Sequence, residues 1–493
     1  MTLAELEPVN VDEQYRLLIG GDWVAAESGT YEIVNPNTTQ VIGHAPEASI
    51  TQVNDAAAAA KAALPGWRDT PMAERCAMIG RAADLLEQNL GGLVGLVQGE
   101  TGATINVSES IQIPSCADRF RHYEISVNVD EPIEPYPVAE NALGPGGLSC
   151  AHVIRQPVGV VACITSYNFP LVNMSGKIAP ALAMGNTLVI KPAPQDPLAV
   201  IKMGEIIEEA GFPPGVINII TGSGAVAGAA LVESRDVDMI SFTGSSAVGA
   251  KIMQAGGSTM KRLLMELGGK GACVLTDDCN VDGAVGAIAS VWGFHSGQIC
   301  TAPTRVIVHH SRYDELVDKL TAVAGMLKVG DPLDRETIVG PVITELHRDR
   351  VEHFIASGVA DGATLLCGGK RPDLPGYFVE PTLLADCTSD MRVVQREIFG
   401  PVVVVLAHDD DDHAVELAND SDYGLFSYVF AGTTARAFEI GKRIESGNVG
   451  LNSMAPHVHA PFGGFKMSGV GRDRGIYGLH AYSEIQALSW MSS

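Results

Sequence analysis

Short apolar runs alternate with longer amphipathic stretches through the middle of this chain, and that rhythm limits the fold more than any other feature. Val158 to Ile164 reads as a strand buried on both faces, and Asn186 to Ile190, Val216 to Ile220 and Asp238 to Phe242 read the same way. Between them, Met174 to Met184 and Leu198 to Ala210 read as helices, the second stopping at Gly211 ahead of Pro213 and Pro214. Repeated βαβ units with right-handed crossovers make a doubly wound parallel sheet. After Gly269 the rhythm restarts, with Gly271 to Leu275 strand-like, Val281 to Phe294 helical and Thr304 to Val308 strand-like. The expected fold class is therefore α/β, with two doubly wound, Rossmann-like domains.

Two segments stand apart. Glu131 to Arg155 is punctuated by prolines and carries Gly144-Pro145-Gly146-Gly147 at its centre, so it reads as a hairpin arm. His480 to Trp490 reads as one more strand. Extended pieces without a core of their own suit an assembly surface. The expected division is 1–130 with 156–267 as the first domain, 268–460 as the second, and 131–155 with 480–493 as an oligomerisation arm.

Composition narrows the partners. Hydrophobic residues make up 46% of the 493 and charged residues 18%, an ordinary globular balance. The net charge of −25 disfavours nucleic acid and anionic membrane. No stretch approaches the roughly 18 to 20 apolar residues that span a bilayer. Met1-Thr2-Leu3-Ala4-Glu5 lacks the basic start of a signal peptide. Nine cysteines without a C-x-x-C pair fit reduced thiols and a cytoplasmic location. His457 with His459, and His309 with His310, have no matching ligands at metal spacing, so no metal is expected.

Several residues could carry chemistry, each with a plainer reading beside it. Cys300, in Gly297-Gln298-Ile299-Cys300-Thr301, is a nucleophile on a turn or a buried structural cysteine. Glu266, between apolar residues and just before Gly268-Gly269, is a general base of raised pKa or a carboxylate paired with Lys270. Asn168 follows a predicted parallel strand, where loops line the ligand crevice; it donates to an oxyanion or simply turns the chain ahead of Phe169-Pro170. Gly222 to Gly228 is not a clean G-x-G-x-x-G. Phe242-Thr243-Gly244-Ser245 lies between a strand and a helix, as a pyrophosphate cradle or an ordinary βα turn would.

Taken together these segments resemble the aldehyde dehydrogenase superfamily. The order Tyr167-Asn168-Phe169-Pro170, Lys191-Pro192, Phe242-Thr243-Gly244-Ser245, Glu266-Leu267-Gly268-Gly269-Lys270, Gly297-Gln298-Ile299-Cys300 and Glu397-Ile398-Phe399-Gly400-Pro401 is similar to that family throughout. Ile19-Gly20-Gly21-Asp22-Trp23 near the start and Pro461 to Gly469 near the end continue the resemblance over almost the whole chain.

The resemblance implies a cofactor-binding first domain and a catalytic second one. It makes Cys300 the nucleophile, Glu266 the general base and Asn168 an oxyanion donor beside the Cys300 backbone N–H. Lys177 and Asp473 mark a proton exit, though an Asp stands at 473 where a Glu is commoner. Lys191 would meet the adenosine ribose, with Pro192, Pro194 and Gly224 nearby. Ile164, Thr165, Ser166 and Tyr167 would line the cofactor crevice, as would Phe242, Thr243, Gly244, Ser245 and Val248. Leu267, Gly268, Glu397 and Phe399 would surround the nicotinamide half. Pro194 replaces a ribose-binding Glu of NAD-preferring relatives, so the cofactor is NAD with NADP still admissible.

An acylating relative would lack the carboxylate at 266, so hydrolysis of a thioester is expected. Phe169, Met174, Phe294, Ile299, Thr301 and Met454, with Tyr167 and Leu171, are expected to line an apolar tunnel for an uncharged aliphatic or aromatic aldehyde. No placed arginine is evident, and the resemblance implies a homodimer or homotetramer.

Overall fold

The computed structural model describes residues 9–125, 127–142, 144, 146–455 and 457–492. The acidic start Met1 to Glu5, the hairpin's Pro145 and the terminal Ser493 lie outside the described residues.

Five parallel strands form the heart of the first sheet, in the order Ile217–Ile219, Thr187–Lys191, Val160–Ile164, Met239–Thr243, Arg262–Glu266. All five residues of Val160–Ile164 and of Thr187–Lys191 are buried, because helices cover both faces. On one face lie Pro170–Ala183 and Pro197–Glu208; on the other lie Ile50–Asp69, Ala225–Glu233 and Ser246–Gly256. The direction of winding reverses between Val160–Ile164 and Met239–Thr243, and a crevice opens at the carboxyl ends of such strands. Leu17–Ile19 and Asp22–Val24 extend one edge antiparallel.

The second sheet runs Thr364–Cys367, Thr382–Ala385, Val402–His408, Arg305–His309, Ala272–Leu275, Phe426–Phe430, Asn448–Leu451, parallel except at its first strand. The chain then returns to the first sheet, where Gly469–Val470 pairs antiparallel with Arg262–Glu266. This return brings Pro461 to Gly469 against Glu266 and joins the two sheets at the site.

A separate antiparallel sheet is built from Ser483–Ser492, Gly147–Pro157 and Glu131–Val138. It leaves Ile133, Tyr136, Ile485, Leu488 and Trp490 exposed.

Four sequence expectations shift. The helix read from Met174 begins at Pro170, whose missing N–H costs nothing in a first turn. The helix read through Phe294 ends at Trp292, because His295 and Ser296 adopt positive φ (47° and 56°). The last strand starts at Ser483, since His480 belongs to the helix Gly475–Ala481. Arg262–Glu266 is a strand the sequence reading did not anticipate, and Glu266 is its last residue.

Candidate active site

Glu266 ends the edge of the parallel array, opposite Thr243 on one side and Gly469 on the other. Its carboxylate is buried, with neither oxygen hydrogen-bonded among the described residues. Burial and the negative charge of Asp473 hold it well above the usual carboxylate range, against the pull of Lys177. A Cβ at Gly463 would stand 2.9 Å from Glu266 Oε1, so only glycine lets that loop close over the carboxylate.

The glycines after Glu266 permit close approaches. A Cβ at Gly269 would lie 2.3 Å from the Cys300 carbonyl, and one at Gly268 would lie 2.5 Å from Glu397 Oε2. The Gly269 N–H donates to Glu397 Oε1 at 2.8 Å. Leu264 to Gly269 therefore carries Glu266 and receives both the Cys300 turn and Glu397. Ser468, unmarked in the sequence reading, fastens the assembly: its Oγ donates to the Gly268 carbonyl at 2.7 Å and accepts from the Gly424 N–H at 2.9 Å.

Cys300 sits on a turn after the left-handed stretch His295 to Gly297 and keeps partial exposure. Gly297 has φ 71°, and a Cβ there would meet the Gly400 carbonyl at 2.3 Å. Burial, then the charges of Glu397 and Glu266, push the thiol up to about 12, so it rests protonated. Asn168 Nδ2 donates to the Gln298 carbonyl at 2.9 Å, and its Oδ1 accepts from Ser166 Oγ at 2.8 Å. The second amide proton is left for an oxygen beside Cys300. Lys177 Nζ donates to Ser241 Oγ at 3.2 Å, which meets Tyr482 Oη at 2.9 Å; burial lowers the lysine's pKa. Lys177 thus acts on Glu266 through its charge, without a hydrogen bond to it.

The expected cofactor residues gather on one edge of the first sheet. Ile164 to Tyr167, Lys191 to Pro194 and Phe242 to Ser245 leave the carboxyl ends of three adjoining strands. Two helices point their N-termini there: Gly224 caps one, and Ser245 caps the other with its Oγ accepting from Val248 N–H. A Cβ at Gly224 would meet nothing within 4 Å, which leaves room for a ligand. Among the described residues Lys191 Nζ bonds only to the Pro192 carbonyl at 3.1 Å, and burial holds it down at about 8. A cleft of about 700 Å³ beside it is lined by Tyr31, Pro194, Ser223 and Thr344, among others. At the far end, Phe399 holds φ 63° with its carbonyl 2.7 Å from His347 Nε2, and its ring meets Tyr167 edge-on at 5.9 Å.

The expected tunnel residues divide. Phe169 stacks with Phe294 at 6.1 Å, and Thr301 and Ile299 flank the nucleophile. Met454 packs in the same hydrophobic cluster as Cys300. Met174 and Leu171 do not belong: both are fully buried in the first core, because their helix is enclosed on nearly every side. Gly176 occupies that helix instead where it approaches Asp473 and Arg119. No arginine stands out in the sequence as placed for a substrate, but one arrives from a distant segment. Arg474, half-buried, lies over the Phe462 ring at 4.3 Å within the charge environment of Cys300 and Glu266.

His459 stacks on His122 at 4.7 Å, and no group of three or more metal-ligating side chains occurs among the described residues. All nine cysteines are free.

A doubly wound α/β sheet whose switch point faces a thiol and a buried carboxylate is the fold and site of a dinucleotide-dependent oxidoreductase. The chain belongs to the aldehyde dehydrogenase family, whose description matches residues 23–488. Mitochondrial aldehyde dehydrogenase of Leishmania tarentolae is 39% identical, covering 100% of this chain and 98% of its own length. Human retinal dehydrogenase 2 is 37% identical over 97% of this chain and 92% of its own. The solved structure of betaine aldehyde dehydrogenase from Staphylococcus aureus in complex with NAD+ superposes with a TM-score of 0.92 at 34% identity, covering 97% and 95%. Among the described residues no helix is long and apolar enough to cross a membrane.

Proposed function

We propose that this NAD(P)-dependent aldehyde dehydrogenase oxidises an aldehyde to the free carboxylic acid through a thioester on Cys300, with Glu266 as the general base. The observation that carries this reading is the shared support of Cys300 and Glu266 by one Gly-Gly segment, with Asn168 tied to the same turn.

The Cys300 sulfur bonds to the aldehyde carbon as its proton leaves, giving a thiohemiacetal. The free Asn168 amide proton and the Cys300 N–H hold the developing oxyanion; one such donor contributes about 3 to 4 kcal/mol. The bound dinucleotide supplies the hydride acceptor. Loss of hydride from the tetrahedral carbon leaves a thioester. Glu266, basic because it is buried, takes a proton from water, which attacks the thioester and restores the thiol. Lys177 offsets the carboxylate's charge; Asp473 lies close enough to raise the pKa of Glu266, which supports a role in proton exit.

Lys191, the Gly224 and Ser245 helix ends, Leu267 and Gly268, and Glu397 with Phe399 would hold the dinucleotide. NAD is the preferred form in this reading. Pro194 brings no carboxylate to the ribose; Glu47, whose Oε2 accepts from Ser223 N–H at 2.8 Å and whose charge acts on Lys191, would supply one.

The relatives' names point to different aldehydes. Phe169 and Phe294 support a hydrocarbon portion, which is as far as an uncharged aliphatic or aromatic aldehyde is supported. The same reading divides the chain into a cofactor domain (1–130, 156–267), a catalytic domain (268–460) and an arm (131–155, 480–493). Through the exposed apolar strands of the arm it would form a cytoplasmic homodimer or homotetramer.

The test follows absorbance of the reduced nicotinamide during oxidation of hexanal with NAD and with NADP, each with and without coenzyme A. Turnover without coenzyme A, yielding hexanoic acid, is expected. Turnover only with coenzyme A would assign an acylating enzyme, and none with any aldehyde would end the reading.

A further inference from the structure

We propose that Arg119 and Arg474 form an anion subsite at the outer end of the substrate path, so that the preferred substrate is an aldehyde bearing a carboxylate. This deepens the function proposed above and rests on it.

Three segments far apart in sequence build the subsite. Phe462 and Asp473 pair through two backbone hydrogen bonds, Phe462 N–H to the Asp473 carbonyl at 2.8 Å and Asp473 N–H to the Phe462 carbonyl at 2.6 Å. That bridge places Arg474 over the Phe462 ring, one residue from Gly463, which touches Glu266. Arg119 reaches in from the helix Ile113–His122. Its Nε is 4.0 Å from where a Cβ would stand on Gly176, and Asp473 Oδ2 is 3.6 Å from the same point. Lys177 follows Gly176 directly, so Arg119 lies alongside the elements that hold the acid–base pair. With no side chain at 176, nothing from this helix position stands between Asp473 and Arg119.

Neither guanidinium is spoken for. Arg119 makes no hydrogen bond or ion pair among the described residues. Arg474 Nε is buried without a partner, and its planar face rests on an aromatic ring instead of a carboxylate. Asp473 and Glu266 act on Arg474 through their charge, yet neither forms an ion pair with either arginine among the described residues, and Asp473 Oδ1 accepts from the Arg474 backbone N–H at 2.7 Å. Burial, and then the like charge of Arg119, lower Arg474 to about 10, which leaves it cationic at neutral pH. His122, stacked on His459, adds two further imidazoles next to Arg119.

Placing unpaired cations together costs free energy unless a ligand of opposite charge completes them. A guanidinium presents a planar fork that matches a carboxylate, whereas the aldehyde end needs no cation. In a chain of net charge −25, two arginines against a single adjoining aspartate would also draw anions towards the nucleophile. A quaternary ammonium aldehyde would meet like charge at the same place.

The test compares kcat/KM for hexanal, adipate semialdehyde and betaine aldehyde in the wild type, Arg119→Gln, Arg119→Lys and Arg474→Gln. The wild type is expected to favour adipate semialdehyde over hexanal by about ten-fold or more, with betaine aldehyde the poorest substrate. Either glutamine variant should cut that preference about ten-fold, mainly through KM for the semialdehyde, and Arg119→Lys should restore part of it. Because a variant can misfold, adipate is also titrated against hexanal oxidation in the wild type, where competitive inhibition stronger than by hexanoate is expected. The inference is overturned if the wild type oxidises hexanal as well as the semialdehyde, or if both substrates lose equally in the variants. It is overturned too if adipate inhibits no better than hexanoate. Hexanal turnover that persists in those cases leaves the dehydrogenase reading standing. Anion recognition of a phosphate source is separated by adding inorganic phosphate: inhibition by phosphate stronger than by adipate counts against a carboxylate.

Discussion

Asn168 Nδ2 donates to the carbonyl of Gln298 at 2.9 Å, a bond that ties the strand end of the first sheet to the turn bearing Cys300. The oxyanion donor and the nucleophile are therefore positioned by the same contact. Asn168→Ala removes the donor and loosens the turn, and kcat is expected to fall by about 100-fold or more. Measuring kcat alongside the alkylation rate of Cys300 separates the two effects. Unchanged kcat in a folded variant would remove Asn168 from the oxyanion site.

Cys300 and Glu266 have separable jobs, so their variants should fail differently. Cys300→Ala is expected to lose oxidation entirely, whereas Glu266→Gln should form the thioester and hydrolyse it slowly. Rapid mixing of the second variant should show a burst of reduced nicotinamide near one equivalent per site, then a slow steady state. Steady turnover at the wild-type rate in Glu266→Gln would mean that another group activates the water.

The strands were legible because they are enclosed: Val160–Ile164 and Thr187–Lys191 are buried on both faces, so their apolar runs need no interpretation. The same enclosure hid the tunnel. Nearly every residue of Pro170–Ala183 is buried, so no periodicity separates Met174, which is core, from Gly176, which faces the site. The end of the helix at Trp292 was illegible because His295 and Ser296 take positive φ although neither is a glycine, and no residue type marks the break. Arg119 and Arg474 meet only because the chain returns to the first sheet after its second, and no local pattern records that return.

The raised thiol pKa fixes the direction of a pH dependence. A thiol whose pKa is about 12 is mostly protonated at neutral pH, and its thiolate fraction grows about ten-fold per unit as pH rises towards that value. Alkylation of Cys300 by iodoacetamide without cofactor should accelerate continuously through about pH 10. A plateau already reached near neutral pH would show that the thiolate is stabilised by something other than the groups described.

Gly297 tests the mould around the nucleophile. At φ 71°, with a Cβ only 2.3 Å from the Gly400 carbonyl, alanine is strained and clashes with backbone that cannot swing aside. Gly297→Ala is expected to destabilise the fold by about 1 to 3 kcal/mol in denaturant melts and to depress kcat further by displacing Cys300. A variant as stable and active as the parent would mean the turn has slack that these contacts do not show.

Glu47 bears on the choice of dinucleotide. Its carboxylate is fixed by the Ser223 N–H at 2.8 Å and lies 3.3 Å from where a Cβ on Gly222 would stand, beside the loop that leads into the Gly224 helix end. Burial lowers the pKa of Lys191, the cation at the end of Thr187–Lys191, and the charge of Glu47 pulls against that shift. A phosphate on the adenosine ribose would bring about two negative charges towards that carboxylate, and like charges disfavour the wrong partner more cheaply than added contacts favour the right one. Glu47→Gln keeps the size and an acceptor oxygen while removing the charge. The ratio of kcat/KM with NADP to that with NAD is therefore expected to rise on the order of ten-fold, through KM for NADP more than through kcat. An unchanged ratio would place the ribose out of reach of Glu47, and selection between the two dinucleotides would then lie with Lys191 and the space left by Pro194.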